Sequence, residues 1–125
     1  MTINTTVVKT YSIDVYSARL RITNNIMKLK NDPEGKGLNP KEKNPCCWLT
    51  GVNGKFEAQV YLPDTCYQSA CHESVHVAFD LLHRIGHSPN VNEQEPLAWL
   101  TDYVFSCCLD YFKHLERINK TGEQP

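Results

Sequence analysis

Hydrophobic and polar positions along this chain change period near its middle, from strand-like to helical. Residues 7–22 are rich in β-branched and aromatic side chains with stretches of alternation, which predicts one or two strands. Segments 47–50 and 56–62 flank the dipeptide Asn53-Gly54, which favours a two-residue hairpin turn. Residues 31–45, a segment with several Gly, Pro and Lys, predict a long surface loop before the hairpin.

The C-terminal half has the period of two amphipathic helices. At about 100° per residue, the apolar residues of segment 70–85 fill one broad side of a helix, and polar residues share the other side. Gly86 is typical of a left-handed C-terminal cap, so the first helix is expected at about residues 69–85. A second helix is expected from near Glu95 to Leu115. Its apolar stripe comprises Leu97, Leu100, Val104, Cys108, Tyr111, Phe112 and Leu115.

This order of elements predicts an α+β fold, in which a small antiparallel sheet with its hairpin packs under two helices. The 125 residues are expected to form one domain, with strands and the long loop in 1–62, helices in 63–118 and a frayed tail in 119–125. Strand 56–62 comes just before the first helix. It is expected either to form the rim of a cleft, where an extended peptide adds as a further strand, or to be an ordinary inner strand.

Composition excludes some classes of function. The chain has 13 basic and 14 acidic residues and a net charge of −1, so charge gives no basis for binding nucleic acid or an anionic membrane. No apolar stretch is long enough to span a membrane, and the N-terminus lacks the pattern of a signal peptide. The expected location is the cytoplasm, where the 6 cysteines would stay reduced.

The most informative pattern lies in the first helix, where His72-Glu73-Ser74-Val75-His76 has the HExxH arrangement of zinc hydrolases. Residues four apart lie one above the other on a helix, so both imidazoles can bind one zinc ion. Glu73 then stands beside the ion, placed to accept a proton from water. Because polar helix stripes usually contain Lys, Glu and Gln rather than aligned histidines, the motif predicts a zinc site.

Catalytic zinc normally has three protein ligands, so a third residue is needed. His83 shares the face of the pair but lies about 10 Å farther along the helix axis, too far for the same ion. The position where metzincins carry their third histidine is Leu82, which excludes that class.

Three candidates for the third ligand remain, namely Glu95, Glu93 and His87. Glu95 lies nineteen residues after His76, at the predicted start of the second helix. Asn92 and Glu95 also have the spacing of a capping box, so Glu95 is expected either to cap its own helix or to reach the metal from the first turn. His87 follows the helix end and would have to fold back by a full helix length.

Segment 71–78, CHESVHVA, followed by Gly86 and by segment 95–100, EPLAWL, resembles the gluzincin branch of zinc metallopeptidases in its smallest form. It is especially similar to small metallopeptidases encoded by bacteriophages and prophages. The resemblance covers about residues 55–112.

This resemblance implies a zincin-like domain and a zinc-dependent metallopeptidase that acts on a peptide or protein. It implies that His72, His76 and Glu95 bind Zn²⁺ and that Glu73 is the catalytic residue. For a phage-encoded protein, the location would be the host cytoplasm.

The sequence departs from the fuller gluzincin pattern at Trp99, where the pattern has an Asp four residues after the glutamate ligand. Asp102 and Asp80 are the nearest substitutes for a carboxylate that supports the ligands. Both positions also fit ordinary charges on a helix surface.

Other interpretations of the same residues stay open. Cys66 and Cys71 together with the two histidines could form a closed Cys2His2 structural zinc site. The protein could also keep zinc for stability and bind a host target without cleaving it, or its histidines could be a metal-free surface. A hydrolase also needs a donor to the developing oxyanion, and the available residues are Tyr103, Tyr67, His83 and His114.

Overall fold

A computed structural model of the protein describes residues 5–30, 38–52 and 54–121. Its elements follow the order β1 (Val8–Ile13), β2 (Ala18–Thr23), β3 (Cys46–Val52), β4 (Lys55–Tyr61), α1 (Tyr67–Arg84) and α2 (Glu95–Thr121). The α+β fold expected from the sequence is confirmed. Among the described residues, no helix is long and apolar enough to cross a membrane.

The first β-rich segment forms two antiparallel strands, β1 and β2, with Ile13 opposite Ala18. A short 3₁₀ turn at Asp14–Tyr16 joins them, and Ser17 closes the turn with a left-handed backbone (φ 51°). The polar side chains alternate with buried ones in β2, which contributes Leu20 and Ile22 to the core. One face of this strand pair is therefore available to the helices.

The predicted hairpin is confirmed, since β3 pairs with β4 in an antiparallel register that places Val52 opposite Lys55. Gly54 has the positive φ (78°) that such a two-residue turn requires, whereas Asn53 lies outside the described residues. Part of the predicted loop, residues 31–37, also lies outside them.

The sheet differs from the prediction in one respect, because it is mixed rather than wholly antiparallel. Its strand order is β1-β2-β4-β3, and β4 pairs in parallel with β2. β3 is therefore an edge strand, and β4 lies between β2 and β3. The interpretation of strand 56–62 as a cleft rim is wrong, and β3 has that place.

Both faces of β4 are covered, which explains why five consecutive residues of this strand are buried. Ala58 and Val60 belong to the main core with the helices. Tyr61 belongs to a small second cluster on the opposite face, with Ile26 and Leu29. A strand buried on both sides loses the simple alternation of a half-exposed strand.

Helix α1 begins two residues earlier than predicted and ends where Gly86 predicts. The Gly86 N–H donates to the carbonyl of His83, and the His87 N–H donates to the carbonyl of Leu82 at 2.9 Å. Gly86 has a φ of 88°. These are the two hydrogen bonds of a Schellman motif, which needs a left-handed residue at this position.

Helix α2 contains the predicted apolar stripe and is longer than predicted. The buried Ile118 extends the stripe by another turn, so the helix continues to Thr121 and residues 119–121 are helical rather than frayed. The rest of the expected tail, residues 122–125, lies outside the described residues. The predicted capping box is wrong, because the helix begins at Glu95 itself. The N–H of Asn92 instead hydrogen-bonds the side chain of Asn90 at 2.8 Å.

Candidate metal centre

His72 and His76 lie on the exposed face of α1, one turn apart, and their rings face each other. The two Nε2 atoms are 3.1 Å apart, and the ring centroids are 4.7 Å apart. Helical geometry explains the alignment, since residues i and i+4 project from the same side. The structure therefore brings the two nitrogens together on one spot of the surface.

The spacing of the nitrogens fits the metal that the motif implies. Two nitrogens bound to one tetrahedral zinc ion at about 2.1 Å would lie roughly 3.4 Å apart. The observed separation of 3.1 Å is close to this value, and it is also the distance of a hydrogen bond between the two rings. Imidazole nitrogens are also a preferred donor for Zn²⁺, so the pair fits zinc in both distance and chemistry.

Glu73 turns away from the exposed face and toward the sheet. It is 6% exposed, and its carboxylate Oε2 lies 3.9 Å from His72 Nε2. A carboxylate in such a place has few contacts with water, so its stabilisation depends on the few polar groups around it. The helix thus presents two accessible imidazoles with a shielded carboxylate beside them.

Ser74 anchors the HExxH motif on the buried side of α1. Its hydroxyl donates to the backbone carbonyl of Ala70 at 2.6 Å and lies 3.8 Å from the Cys108 sulfur on α2. Burial raises the pKa of the Cys108 thiol to about 12, so the thiol stays neutral against the serine. This contact fixes α1 on α2 at the level of the histidine pair.

A groove runs along the seam between edge strand β3 and α1, and the histidine pair borders it. Its central part, about 320 Å³, contains Pro45, Cys46 and Cys47 on one side and His72, Glu73, His76 and Asp80 on the other. Clefts of about 330 Å³ and 540 Å³ adjoin it at either end. We call this surface the β3–α1 groove.

Sequence reasoning missed the thiols of this groove. The alternation of β3 places Cys47 against the main core and the helices, and Cys46 against the second cluster. The Cys47 sulfur lies 3.9 Å from the backbone oxygen of Glu73. Burial raises the pKa of the Cys46 thiol to about 11. Cys47 lies near the motif because β3 packs beside α1. The spacing of these residues along the sequence does not show this contact.

The structure does not join a third predicted ligand to the pair. Glu95 is the first residue of α2 and is exposed. Glu93 and His87 lie in the connection between the helices, where His87 Nδ1 is 3.9 Å from Glu93 Oε2. Within the described residues, no group of three or more His, Cys, Asp or Glu side chains has an arrangement that could hold a metal ion.

The structure also bears on the alternative of a closed Cys2His2 zinc site, which would need Cys66 and Cys71 beside the two histidines. Cys71 is exposed and lines an apolar groove on the α2 side of α1, together with Val75. The structure therefore places Cys71 away from the β3–α1 groove. All six cysteines are free thiols.

The candidate supporting carboxylates lie on different sides of α1. Asp80 lines the β3–α1 groove one turn after His76, whereas Asp102 lines the apolar groove on the α2 side. Trp99 stacks on Tyr103, with ring centroids 5.7 Å apart and planes 8° apart. The position where the gluzincin pattern has an Asp is thus part of an aromatic cluster.

Of the four candidate oxyanion donors, His83 lines the β3–α1 groove. The Tyr103 hydroxyl donates to the carbonyl of Ser12. Tyr67 packs against Phe112, and His114 Nδ1 is 2.8 Å from a guanidinium nitrogen of Arg117. These contacts leave His83 as the candidate best placed beside an extended substrate.

Comparison of the chain with protein-family models, with curated proteins and with solved structures finds no significant match.

Proposed function

We propose that the protein is a zinc-dependent metallopeptidase. The observation that carries the proposal is the pair of imidazole nitrogens 3.1 Å apart on α1, with the buried carboxylate of Glu73 beside it. In this proposal His72 and His76 bind zinc, and Glu95, which the structure leaves apart from the pair, is the third ligand to be tested. A bound zinc ion would supply Lewis-acid polarisation of a carbonyl and acidify a water molecule.

The protein's own residues have separate tasks in this proposal. Glu73 accepts a proton from the attacking water and returns it to the leaving amine. His83 lies about two helical turns beyond His76 in the adjoining cleft of the β3–α1 groove, where it can contact the substrate away from the scissile bond.

Edge strand β3 supports a peptide as the substrate. Among the described strands, β3 pairs only with β4, and residues of this edge strand line the β3–α1 groove. An extended peptide can add to such an edge through main-chain hydrogen bonds. These bonds do not depend on the side chains of the peptide, so peptides of many sequences could bind. The scissile bond would then pass in front of His72 and His76.

The proposal predicts that the purified protein holds about one zinc per chain and cleaves unfolded protein or a mixture of fluorogenic peptides. Removing the metal with a chelator should abolish cleavage, and added zinc should restore it. Elemental analysis and the peptide assay measure these two properties. A protein free of zinc, with cleavage that a chelator leaves intact, would exclude the proposed function.

The third ligand is tested by comparing Glu95→Ala with Glu93→Ala and His87→Ala. Loss of groups that merely support ligands already weakens metal binding by about 10–100-fold, so Glu95→Ala should weaken zinc retention by at least about 100-fold. The other two variants should retain zinc like the parent protein. A chelator titration of all three measures this. Zinc retention in Glu95→Ala together with loss in another variant reassigns the ligand.

A second candidate function is a zinc-stabilised protein that binds a host target without cleavage. The aromatic cluster at Trp99 favours it, since an Asp that supports the ligands is expected there in a gluzincin. The two functions share the metal and differ in what Glu73 does.

A further inference from the structure

An exposed apolar surface runs along the seam between α1 and α2, on the other side of α1 from the β3–α1 groove. It comprises two open cavities of about 460 Å³ and 490 Å³, and both are lined by Phe105. Val75 and Tyr67 border them from α1 and are 38% and 58% exposed. A contiguous apolar surface on a small protein marks an interaction site. We call this surface the α1–α2 seam.

Helix α2 has a second stripe of residues that faces this seam, in addition to the buried stripe of the core. Its members follow one another at spacings of three and four residues, and they are Ala98, Thr101, Phe105, Leu109 and Phe112. This spacing is the one that packs a helix lengthwise along another helix. The outer stripe therefore has the pattern of a surface that another helix covers.

Two charged residues, Asp102 and Lys113, lie at the rim of the outer stripe. Both are exposed, and each lines one of the two cavities. At about 100° per residue they project about 60° and 80° from Phe105 in the same sense, so they share one edge of the stripe. When two helices pack antiparallel, residues on the same edge of each helix face each other.

The positions along the outer stripe are close to symmetric about Cys107. Phe105 and Leu109 each lie two residues from this point, whereas Asp102 and Lys113 lie five and six residues from it. Two antiparallel α2 helices that cross here place Phe105 beside Leu109 of the other copy, and Asp102 beside Lys113 of the other copy. A two-fold axis makes each of these contacts occur twice.

We propose that the protein forms a symmetric homodimer through the α1–α2 seam, with the two α2 helices antiparallel and Asp102 paired with Lys113 of the other copy. A second copy is the occupant because the outer stripe contains both charges of the pair, at positions that match under two-fold symmetry. The apolar residues form the centre of the interface, and the ion pairs at its rim fix the register. The proposal does not rest on the proposed function, since the histidine pair borders the other groove.

Reversal of the rim charges tests the register. Lys113→Asp brings two aspartates together at each rim contact, and Asp102→Lys brings two lysines together. Each variant should therefore dimerise about 10-fold more weakly than the parent protein. An equimolar mixture of the two variants should dimerise like the parent protein, because every contact then joins one lysine to one aspartate. Lys55→Asp makes the same change at the exposed start of β4 and is the matched control.

A second variant tests the centre of the interface. Ala98 is exposed on α2, so the folded chain accepts a larger side chain there. In the proposed register Ala98 lies opposite Glu116 of the other copy, since each is nine residues from Cys107. Ala98→Glu should weaken the dimer by at least about 10-fold through this like-charge contact, with the parental helix content in circular dichroism.

Sedimentation equilibrium over a range of concentrations measures the dissociation constants of all these proteins. A parent protein that stays monomeric throughout overturns the proposal, and so does a dimer that the three substitutions in α2 leave as tight as before. A mixture that dimerises no better than its two components overturns the antiparallel register. Zinc content and cleavage of Lys113→Asp should equal those of the parent protein, so a failed dimer and a failed peptidase are distinguished.

Discussion

Replacing His76 with alanine should remove the metal from the purified protein and lower its thermal stability. The two Nε2 atoms 3.1 Å apart can hold one ion only together, and two remaining ligands give a weak site. A ligand present at 100 times its Kd stabilises the folded state by about 2.7 kcal/mol, and that contribution is lost with the site. For a chain of this size the loss corresponds to roughly 10 °C in Tm.

Elemental analysis and thermal unfolding with and without chelator measure both effects. His114→Ala is the control, since His114 lies near the end of α2 and contacts Arg117 rather than the pair. The parent protein and His114→Ala should both lose stability on chelation, whereas His76→Ala should respond to the chelator no further. A full zinc content in His76→Ala would contradict the site.

The parts of the fold that the sequence predicts well are those with local causes. The end of α1 follows from Gly86, because only a residue that adopts positive φ easily can make the Schellman hydrogen bonds. The hairpin follows in the same way from its two-residue turn, in which Gly54 has positive φ. In both places the chain within a few residues determines the structure.

The mixed sheet has a cause that no local pattern contains. Ala18 lies opposite Phe56 in the parallel pair of β2 and β4, and this pairing depends on where the long connection leads the chain. The apolar content of strand 56–62 is compatible with an edge or a central position. Its burial on both faces, which decides between them, comes from segments far away in sequence.

The candidate site also has parts with local causes and parts that depend on residues far away in sequence. The histidine pair and Glu73 were predicted because all three lie within one and a half turns of a single helix. Cys47 was missed because it lies on strand β3, twenty-six residues before Glu73 in the chain, and contacts the Glu73 backbone only in the folded structure. The choice of Glu95 depends on how two helices meet at their connection, and a spacing of residues does not fix that geometry.

Glu73→Gln should separate binding of the metal from chemistry. The amide keeps the shape of the side chain but cannot accept a proton, and loss of a general base lowers rates by about 100-fold to 10,000-fold. His72 and His76 are unchanged, so the zinc content should stay at the parental level. Glu116→Gln, which neutralises an exposed carboxylate on α2, is the matched control and should cleave like the parent protein.

Peptide cleavage and zinc content measured on the same preparations distinguish the two candidate functions. Cleavage lost with zinc retained supports a peptidase that uses Glu73 as its base. If the biological effect of the protein instead persists undiminished in Glu73→Gln and disappears in His76→Ala, zinc stabilises a binding surface and the peptidase proposal fails. An effect that survives both changes would leave the histidine pair without a role in function. The buried position of Glu73 favours the first result, because a carboxylate needed only for solubility would not be shielded from water.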